Sequence, residues 1–130
     1  MTDEAKTVYL RTVDTEVFEA TPVSERFVQR LIGRESGGAS AIISLIRTPP
    51  LGGSPEGMHT HDVDQHFYIM SGTMSFDIDG EEFEGPPSSL VYFPAGVPHR
   101  NWNAGTDPTV HLMINAPLPE PDGPFSRPAG

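Results

Sequence analysis

Two histidines separated by a single residue, His59 and His61, are the first candidates for chemistry in this 130-residue chain. Side chains alternate across an extended strand, so both imidazoles would project from the same face. Gln65 follows after three further residues, within the stretch of residues 53–72, and offers a neutral amide oxygen. This spacing predicts that His59 and His61 are two ligands of one metal ion.

A third histidine, His99, lies in the segment PAGVPHRNWN of residues 94–103. The chain has no cysteine, so a transition metal would be held by nitrogen and oxygen ligands. Three neutral imidazoles suit Zn, Fe, Ni or Cu. The ring nitrogens that do not bind the metal need hydrogen-bond partners, which Asn101, Asn103 or backbone carbonyls could provide.

Side-chain alternation also assigns the fourth histidine, His66. If Gln65 faces inward, Phe67 and Ile69 share its face, and His66 points the other way. We therefore expect His66 on the exterior of the sheet or at a subunit contact. A register shifted by one residue would make His66 the ligand instead.

The fifth histidine, His111, interrupts the apolar sequence TVHLMIN. A lone polar side chain in an apolar strand needs a partner if it is buried. Two interpretations stay open at this point. His111 is either a core histidine bonded to a neighbour, or a further metal ligand or general base that points into the interior.

Composition sets limits on the class of protein. The length is that of one domain, and a net charge of −10 opposes binding to nucleic acid. The N-terminus carries acidic residues where a signal peptide would be basic, and no apolar run is long enough to span a membrane. We expect a soluble cytoplasmic protein.

Thirteen glycines and fourteen prolines fall between short apolar runs, which predicts an all-β domain with frequent turns. Residues 49–57 form a loop, the Asp79-Gly80 pair predicts a hairpin, and residues 23–32 are ambiguous between helix and strand, with strand preferred. The domain would comprise residues 1–116, followed by a proline-rich tail, 117–130, that is extended or disordered. The other predicted strands are 7–13, 39–48, the His59 strand, the run at 66–70, 73–78, 81–84, 90–93, 97–103 and 109–115.

Together the two histidine segments resemble the signature motifs of the cupin superfamily. The first runs from Gly53 to Gly72 as G-x5-H-x-H-x3-Q-x6-G, and the second runs from Pro94 to Asn103 as PAG-x2-H-x3-N. The resemblance implies a double-stranded β-helix, a jelly-roll barrel of six to eight strands with a metal inside. The ligands that it implies are His59, His61, Gln65 and His99.

The chain departs from the family pattern at two positions. The family usually has glutamate where this chain has Gln65, and a glycine where it has Ser88. An amide ligand in place of a carboxylate removes one negative charge. A bound metal then keeps its full dipositive charge and becomes a stronger Lewis acid.

Within the superfamily, the chain resembles the cupin-type aromatic polyketide cyclases of actinobacteria, the resistomycin cyclase type. That resemblance implies one divalent metal, zinc first, with Fe, Ni or Mn as alternatives, and His111 as the candidate for an additional ligand. It implies aldol-type cyclisation of a poly-β-ketone, in which Gln65 and His111 are the catalytic candidates. The expected substrate pocket is formed by Phe67, Ile69, Phe76, Tyr92, Asn101 and Met113.

Two other functions compete with this interpretation. Three histidines with open coordination positions would also suit a non-haem Fe(II) dioxygenase that cleaves a diketone or aromatic substrate. A non-catalytic small-molecule binding cupin is the second alternative. The expected partners are a small-molecule substrate, components of a polyketide synthase and a second copy of the chain in a homodimer.

Overall fold

Ten β-strands in two five-stranded antiparallel sheets form the fold in the computed structural model, which describes residues 9–37, 40–55, 57–119 and 126–129. The first sheet has the order β1-β2-β9-β4-β7 and the second has the order β10-β3-β8-β5-β6. The all-β jelly-roll prediction is confirmed. The elements are α1 (Thr15–Ala20), β1 (Phe27–Ile32), a 3-10 turn (Arg34–Ser36), β2 (Ile42–Thr48), β3 (His59–His61), β4 (Asp64–Ser71), β5 (Met74–Ile78), β6 (Glu81–Gly85), β7 (Ser89–Phe93), β8 (His99–Trp102), β9 (Thr109–Ala116) and β10 (Ser126–Pro128).

Strand β4 shows the alternation on which the site depends. Gln65, Phe67 and Ile69 are buried, whereas Tyr68 is exposed. His66 lies on the outer face, where its ring stacks on Tyr92 with a centroid separation of 5.2 Å. Because strand side chains alternate, the inward position of Gln65 fixes the outward position of His66.

A two-residue turn joins β5 to β6, as the Asp79-Gly80 pair predicts. Both turn residues have positive φ angles, 55° and 86°, as a type I′ turn requires. The Gly80 N–H donates to Asp77 Oδ1 at 3.0 Å. The turn therefore sets the register in which Phe76 pairs with Phe83.

The apolar core fills one part of the space between the sheets. Its buried members come from β4, β5 and β7: Phe67, Ile69, Met74, Phe76, Val91 and Phe93. Three of these rings pack edge to face or tilted, with Phe67 and Phe93 centroids 4.8 Å apart and Phe76 and Phe93 centroids 5.7 Å apart. The core supports the strands that carry the polar residues described below.

The structure corrects the predicted strand at residues 7–13. Residues 7 and 8 lie outside the described residues, and residues 9–13 form no strand. Instead a helix, α1, follows, capped by Asp14, whose Oδ1 accepts from the Val17 N–H at 3.2 Å. The predicted strand at 23–32 begins only at Phe27.

Helix α1 is held on the outer face of the first sheet by Arg47. The Arg47 guanidinium donates from Nη1 to the Phe18 carbonyl at 2.9 Å and lies 4.5 Å from the centroid of the Phe18 ring. Phe18 also packs edge to face on Phe27 at 5.1 Å. These tertiary contacts, more than local propensity, stabilise a helix of six residues.

The C-terminal segment adds a strand to the second sheet. Strand β10 pairs antiparallel with β3, with Ser126 opposite His61 and Pro128 opposite His59. Residues 120–125 and 130 lie outside the described residues, so the proposed boundary between residues 116 and 117 stays a prediction. No helix in the described part of the chain is long and apolar enough to cross a membrane.

Candidate metal centre

The loop before β3 is attached to β8 by a close backbone approach at Gly53. Gly53 forms an isolated bridge with Trp102 and has a φ of +145°. A Cβ atom at this position would lie 2.3 Å from the Asn101 carbonyl oxygen, so only glycine fits. Ser54 closes the contact, because its N–H donates to that same carbonyl at 2.9 Å.

Strands β3 and β8 bring the two histidine segments together. His59 and His99 are direct partners across the antiparallel pair. The Gly96 N–H, in the turn before β8, donates to the His61 carbonyl at 2.8 Å. Residues almost forty positions apart in the sequence thus become neighbours through backbone pairing.

His59, His61 and His99 form a cluster that could hold a metal ion. One ring nitrogen from each lies within 4.8 Å of the others, and the ring centroids are 4.3 to 4.9 Å apart. His61 and His99 are buried, and His59 is half-buried. A set of three imidazoles on one short strand pair is a donor set suited to Zn²⁺ or another divalent transition metal.

The orientation of His99 fits a metal ligand. Its Nδ1 lies 3.1 Å from the Val97 carbonyl, which therefore accepts the Nδ1 proton. The Nε2 atom is buried and has no hydrogen-bond partner among the described residues. A buried lone pair without a donor is costly, and a metal ion in the cluster would satisfy it.

Burial favours the neutral form of two histidines of the cluster, His59 and His99. It lowers the pKa of His99 to about 4, against the raising effect of the Val97 hydrogen bond and with further lowering by His59 and His61. Burial, and then the neighbouring His61, also lower the pKa of His59. Neutral imidazoles carry the free lone pairs that metal binding needs.

A cavity of about 310 Å³ between the two sheets adjoins the cluster. Gln65, which is 4% exposed, lines it together with His59 and His61. The amide therefore lies in the same space as the histidines, and its role as a fourth ligand stays a prediction. The other lining residues are Arg26, Thr48, Gly53, Ser54, Pro55, Phe67, Asn101, His111, Met113 and Ser126.

His111 faces the cavity from the opposite sheet. It is 1% exposed and stacks on Phe67 with a centroid separation of 4.1 Å. Neither ring nitrogen has a hydrogen-bond partner among the described residues. The hydrogen bond that a core histidine bonded to a neighbour would make is therefore not observed. Burial, and then the charge of Arg26, lower the pKa of His111 to about 3. The cluster of three does not include it, and its role as a ligand or base stays a prediction.

The structure places part of the expected substrate pocket elsewhere. Phe67, Asn101 and Met113 line the cavity, but Ile69 and Phe76 belong to the apolar core. Tyr92 lies on the outer face and is 50% exposed, because its neighbours in β7, Val91 and Phe93, take the inward positions. The assignment of Tyr92 to the pocket was therefore wrong, because its side chain lies on the outer face of the strand.

The two asparagines of the second segment do not orient the histidines. Asn103 braces a loop, donating from Nδ2 to the carbonyls of Thr48 at 3.2 Å and Asp107 at 2.8 Å. The Asn101 amide lies 3.3 Å from Met74 Sδ. The Val97 carbonyl orients the His99 ring, in agreement with the expectation that a backbone carbonyl could do so.

Sequence reasoning did not assign six of the lining residues to a cavity: Arg26, Thr48, Gly53, Ser54, Pro55 and Ser126. Ser54 lies inside the first motif but at a position without a pattern of its own. Arg26 precedes β1, and Ser126 belongs to β10, far from both motifs. Only strand pairing brings these residues to the site, so no spacing in the sequence could have identified them.

Three solved structures share the fold, and each is similar at low sequence identity. The polyketide cyclase RemF from Streptomyces resistomycificus has a TM-score of 0.68 and 20% identity, over 82% of this chain and 72% of that chain. TT1209 from Thermus thermophilus has a TM-score of 0.68 and 20% identity, over 85% of this chain and 100% of that chain. An RmlC-like cupin with a double-stranded β-helix fold from Methanocaldococcus jannaschii has a TM-score of 0.66 and 21% identity, over 89% and 94%.

The family itself follows from the sequence. No protein of curated function matches the chain. The sequence profile of the cupin domain, however, matches residues 45–115, which is more than half of the 130 residues. The matched range contains β2 to β9 almost entirely, including His59, His61 and His99. The chain therefore belongs to the cupin family.

Proposed function

We propose that this cupin is a divalent-metal enzyme of zinc type that cyclises a poly-β-ketone intermediate of aromatic polyketide biosynthesis. The observation that carries the proposal is the cluster of His59, His61 and His99, with the buried Nε2 of His99 unpaired, beside the neutral Gln65. The shared fold with the polyketide cyclase RemF supports the choice of reaction.

Four neutral groups would hold the metal: His59, His61, Gln65 and His99. A dication held there supplies Lewis acidity, which polarises a substrate ketone and stabilises a developing enolate. The described lining of the cavity contains no carboxylate that would offset this charge. Gln65 therefore contributes through its neutral side chain, because the negative charge of a glutamate at this position would make the metal a weaker electrophile.

His111 is the candidate base. The carbon between two ketones carries an acidic proton, and the unprotonated ring nitrogen of His111 would accept it. The resulting carbanion attacks a second ketone of the same chain, and the oxygen of that ketone becomes an alkoxide. The imidazolium formed on His111 would then return the proton to this alkoxide.

The shape of the cavity would select the ring that forms. Phe67 and Met113 give it apolar walls, and Asn101 offers a polar group between them. A volume of about 310 Å³ is in the range of small-molecule sites. Folding the chain inside the cavity brings the reacting carbons together and supplies much of the rate by proximity.

A reconstituted polyketide synthase tests the proposal. We expect His59→Ala and Gln65→Ala to lose most of the cyclised product, because each removes a metal-site group. His66→Ala is the matched control, since His66 stacks on Tyr92 on the outer face. Normal product from the His59→Ala and Gln65→Ala variants would contradict metal-assisted cyclisation.

A non-haem Fe(II) dioxygenase is the second candidate, favoured by the three neutral histidines of the cluster. Metal analysis of protein purified without added metal separates the two functions. Iron together with substrate-dependent oxygen uptake supports the dioxygenase, whereas about one equivalent of zinc without uptake supports the cyclase. Binding without turnover in either assay would leave a non-catalytic cupin.

We also propose a homodimer. Exposed apolar side chains on the outer face of β4 and β7 support it: Tyr68, Met70, Leu90 and Tyr92. A sheet face of this kind is usually covered in solution. His66 lies on the same face, in agreement with its expected place at a subunit contact.

A further inference from the structure

Among the residues that the structure describes, the mouth of the cavity carries a single charged side chain. The exposed lining residues are Arg26, Gly53, Pro55 and Ser126, whereas His61, Gln65, Phe67 and His111 are buried. This difference in exposure places the opening of the cavity at Arg26, at the loop that contains Gly53 and Pro55, and at β10. The Arg26 guanidinium therefore lies beside the opening through which a substrate would enter.

Arg26 differs from the other six arginines of the chain, each of which has a contact within the protein. Arg30 and Arg127 form ion pairs, Arg34 and Arg11 donate to backbone carbonyls, and Arg47 and Arg100 lie over aromatic rings. Among the described residues, Arg26 has no hydrogen bond, ion pair or ring contact. Its charge is therefore available to a ligand.

The charge of the cavity is opposite to that of the protein. The chain has 18 acidic residues against 8 lysines and arginines, yet none of the described lining residues is acidic. Arg26 is thus the one formal charge of the described lining. Its field reaches deep into the cavity, since it contributes to lowering the pKa of the buried His111.

We propose that Arg26 is a specificity-determining residue that binds a carboxylate of the substrate at the mouth of the cavity. The substrate is then an organic acid, and the guanidinium holds its carboxylate while the rest of the molecule extends inward past His111 to the histidine cluster. A guanidinium offers two parallel donors that match a carboxylate. This inference rests on the proposed function for the reacting part of the substrate, but the carboxylate site itself does not need the metal.

Binding of two small probes to metal-free protein tests the carboxylate site separately from the proposed function. Benzoate carries the carboxylate, and benzamide has the same shape without the charge. We expect Arg26→Gln to weaken benzoate binding by about 5- to 10-fold, a modest loss because the site is at the surface, and to leave benzamide binding unchanged. Arg26→Lys should recover part of the loss.

Arg30→Gln is the matched control, because it removes the same charge from an exposed arginine outside the cavity. Equal weakening by Arg30→Gln would mean that net charge, not a site, attracts the anion, and would overturn the proposal. So would benzoate binding that Arg26→Gln leaves intact, equal losses for benzoate and benzamide, or no binding of benzoate to the wild-type protein.

A third probe, phenyl phosphate, distinguishes the source of the anionic oxygen. Weaker binding of phenyl phosphate than of benzoate to the wild-type protein supports the carboxylate. Tighter, Arg26-dependent binding of phenyl phosphate would overturn the carboxylate in favour of a phosphate group. Since none of these measurements involves metal or turnover, their failure leaves the cyclase proposal untouched, and failure of cyclisation leaves the anion site untouched.

Discussion

Gln65 determines the charge of the candidate metal site. It is buried at the cavity wall, and no acidic residue lines the cavity in the described part of the chain. A dication held by His59, His61 and His99 would therefore keep its whole charge for the substrate. The same absence of carboxylates weakens metal binding, because opposite charge is the strongest attraction that a protein can offer a cation. Affinity and Lewis acidity thus oppose each other at this residue.

Gln65→Glu tests that opposition. We expect zinc affinity to rise by about 10-fold or more, because a carboxylate in contact with the metal adds a charge attraction of at least about 1.4 kcal/mol. We expect the cyclised product to fall, because the metal becomes a weaker electrophile. Competition with a chelator measures the affinity, and product analysis in the reconstituted synthase measures the reaction. Unchanged zinc affinity would mean that Gln65 does not contact the metal.

Two of the three cluster histidines could be predicted from local geometry, and the third from the resemblance of its segment to a cupin motif. His59 and His61 share a face by strand alternation, and His99 follows from a second motif whose turn precedes a strand. Arg26 and Ser126 could not be predicted, because only the pairing of distant strands brings them to the cavity. The misplacement of Tyr92 has a related cause, since a β7 register error of one residue exchanges the inner and outer faces.

At the scale of elements, the loop of residues 49–55 positions the candidate metal site. Its backbone is attached to β8 at Gly53, whose α-carbon has no room for a side chain beside Asn101. Strand β8 in turn carries His99, which pairs with His59 of β3. The loop, β3 and β8 therefore form one unit, and a displacement at Gly53 changes the spacing of the cluster.

Gly53→Ala should destabilise the protein and loosen the metal site. Its φ of +145° and the Cβ position 2.3 Å from the Asn101 carbonyl require β8 to move. Gly57→Ala is the control, because Gly57 has a φ of +90° but nothing within 4 Å of an added Cβ. We expect about 1 kcal/mol of destabilisation for Gly57→Ala and roughly 1–3 kcal/mol more for Gly53→Ala, in urea unfolding. Equal losses of unfolding free energy in the two variants would show that contact between the added Cβ and the Asn101 carbonyl does not destabilise the protein.

The elements that the sequence predicted poorly are those that depend on tertiary contacts. Helix α1 has six residues and forms against Arg47 and Phe27, so no periodicity identifies it. Strand β10 has three residues, and its pairing with β3 defines it. The hairpin at Asp79-Gly80 was predictable because its turn chemistry is local. The difference between these elements is whether the stabilising contacts lie inside the element or outside it.

At the scale of the whole molecule, the interior is divided between an apolar core and a polar cavity. Phe76, Ile69 and their neighbours supply hydrophobic stabilisation in one part. In the other part, the Nε2 atom of His99 and both ring nitrogens of His111 are buried with no hydrogen-bond partner among the described residues. Such groups cost stability in the free protein. A metal ion or a substrate would satisfy them.

Acid should therefore unfold the metal-free protein before the carboxylates titrate. Burial lowers the folded-state pKa of His111 from 6.5 to about 3, so between these values the unfolded chain binds a proton that the folded protein does not, and the unfolding free energy decreases as pH falls. One such histidine contributes a slope of up to about 1.4 kcal/mol per pH unit. Urea unfolding between about pH 6.5 and 5 should show a smaller slope for His111→Gln than for His66→Gln, the same substitution on the outer face. Equal slopes would mean that His111 is protonated in the folded protein.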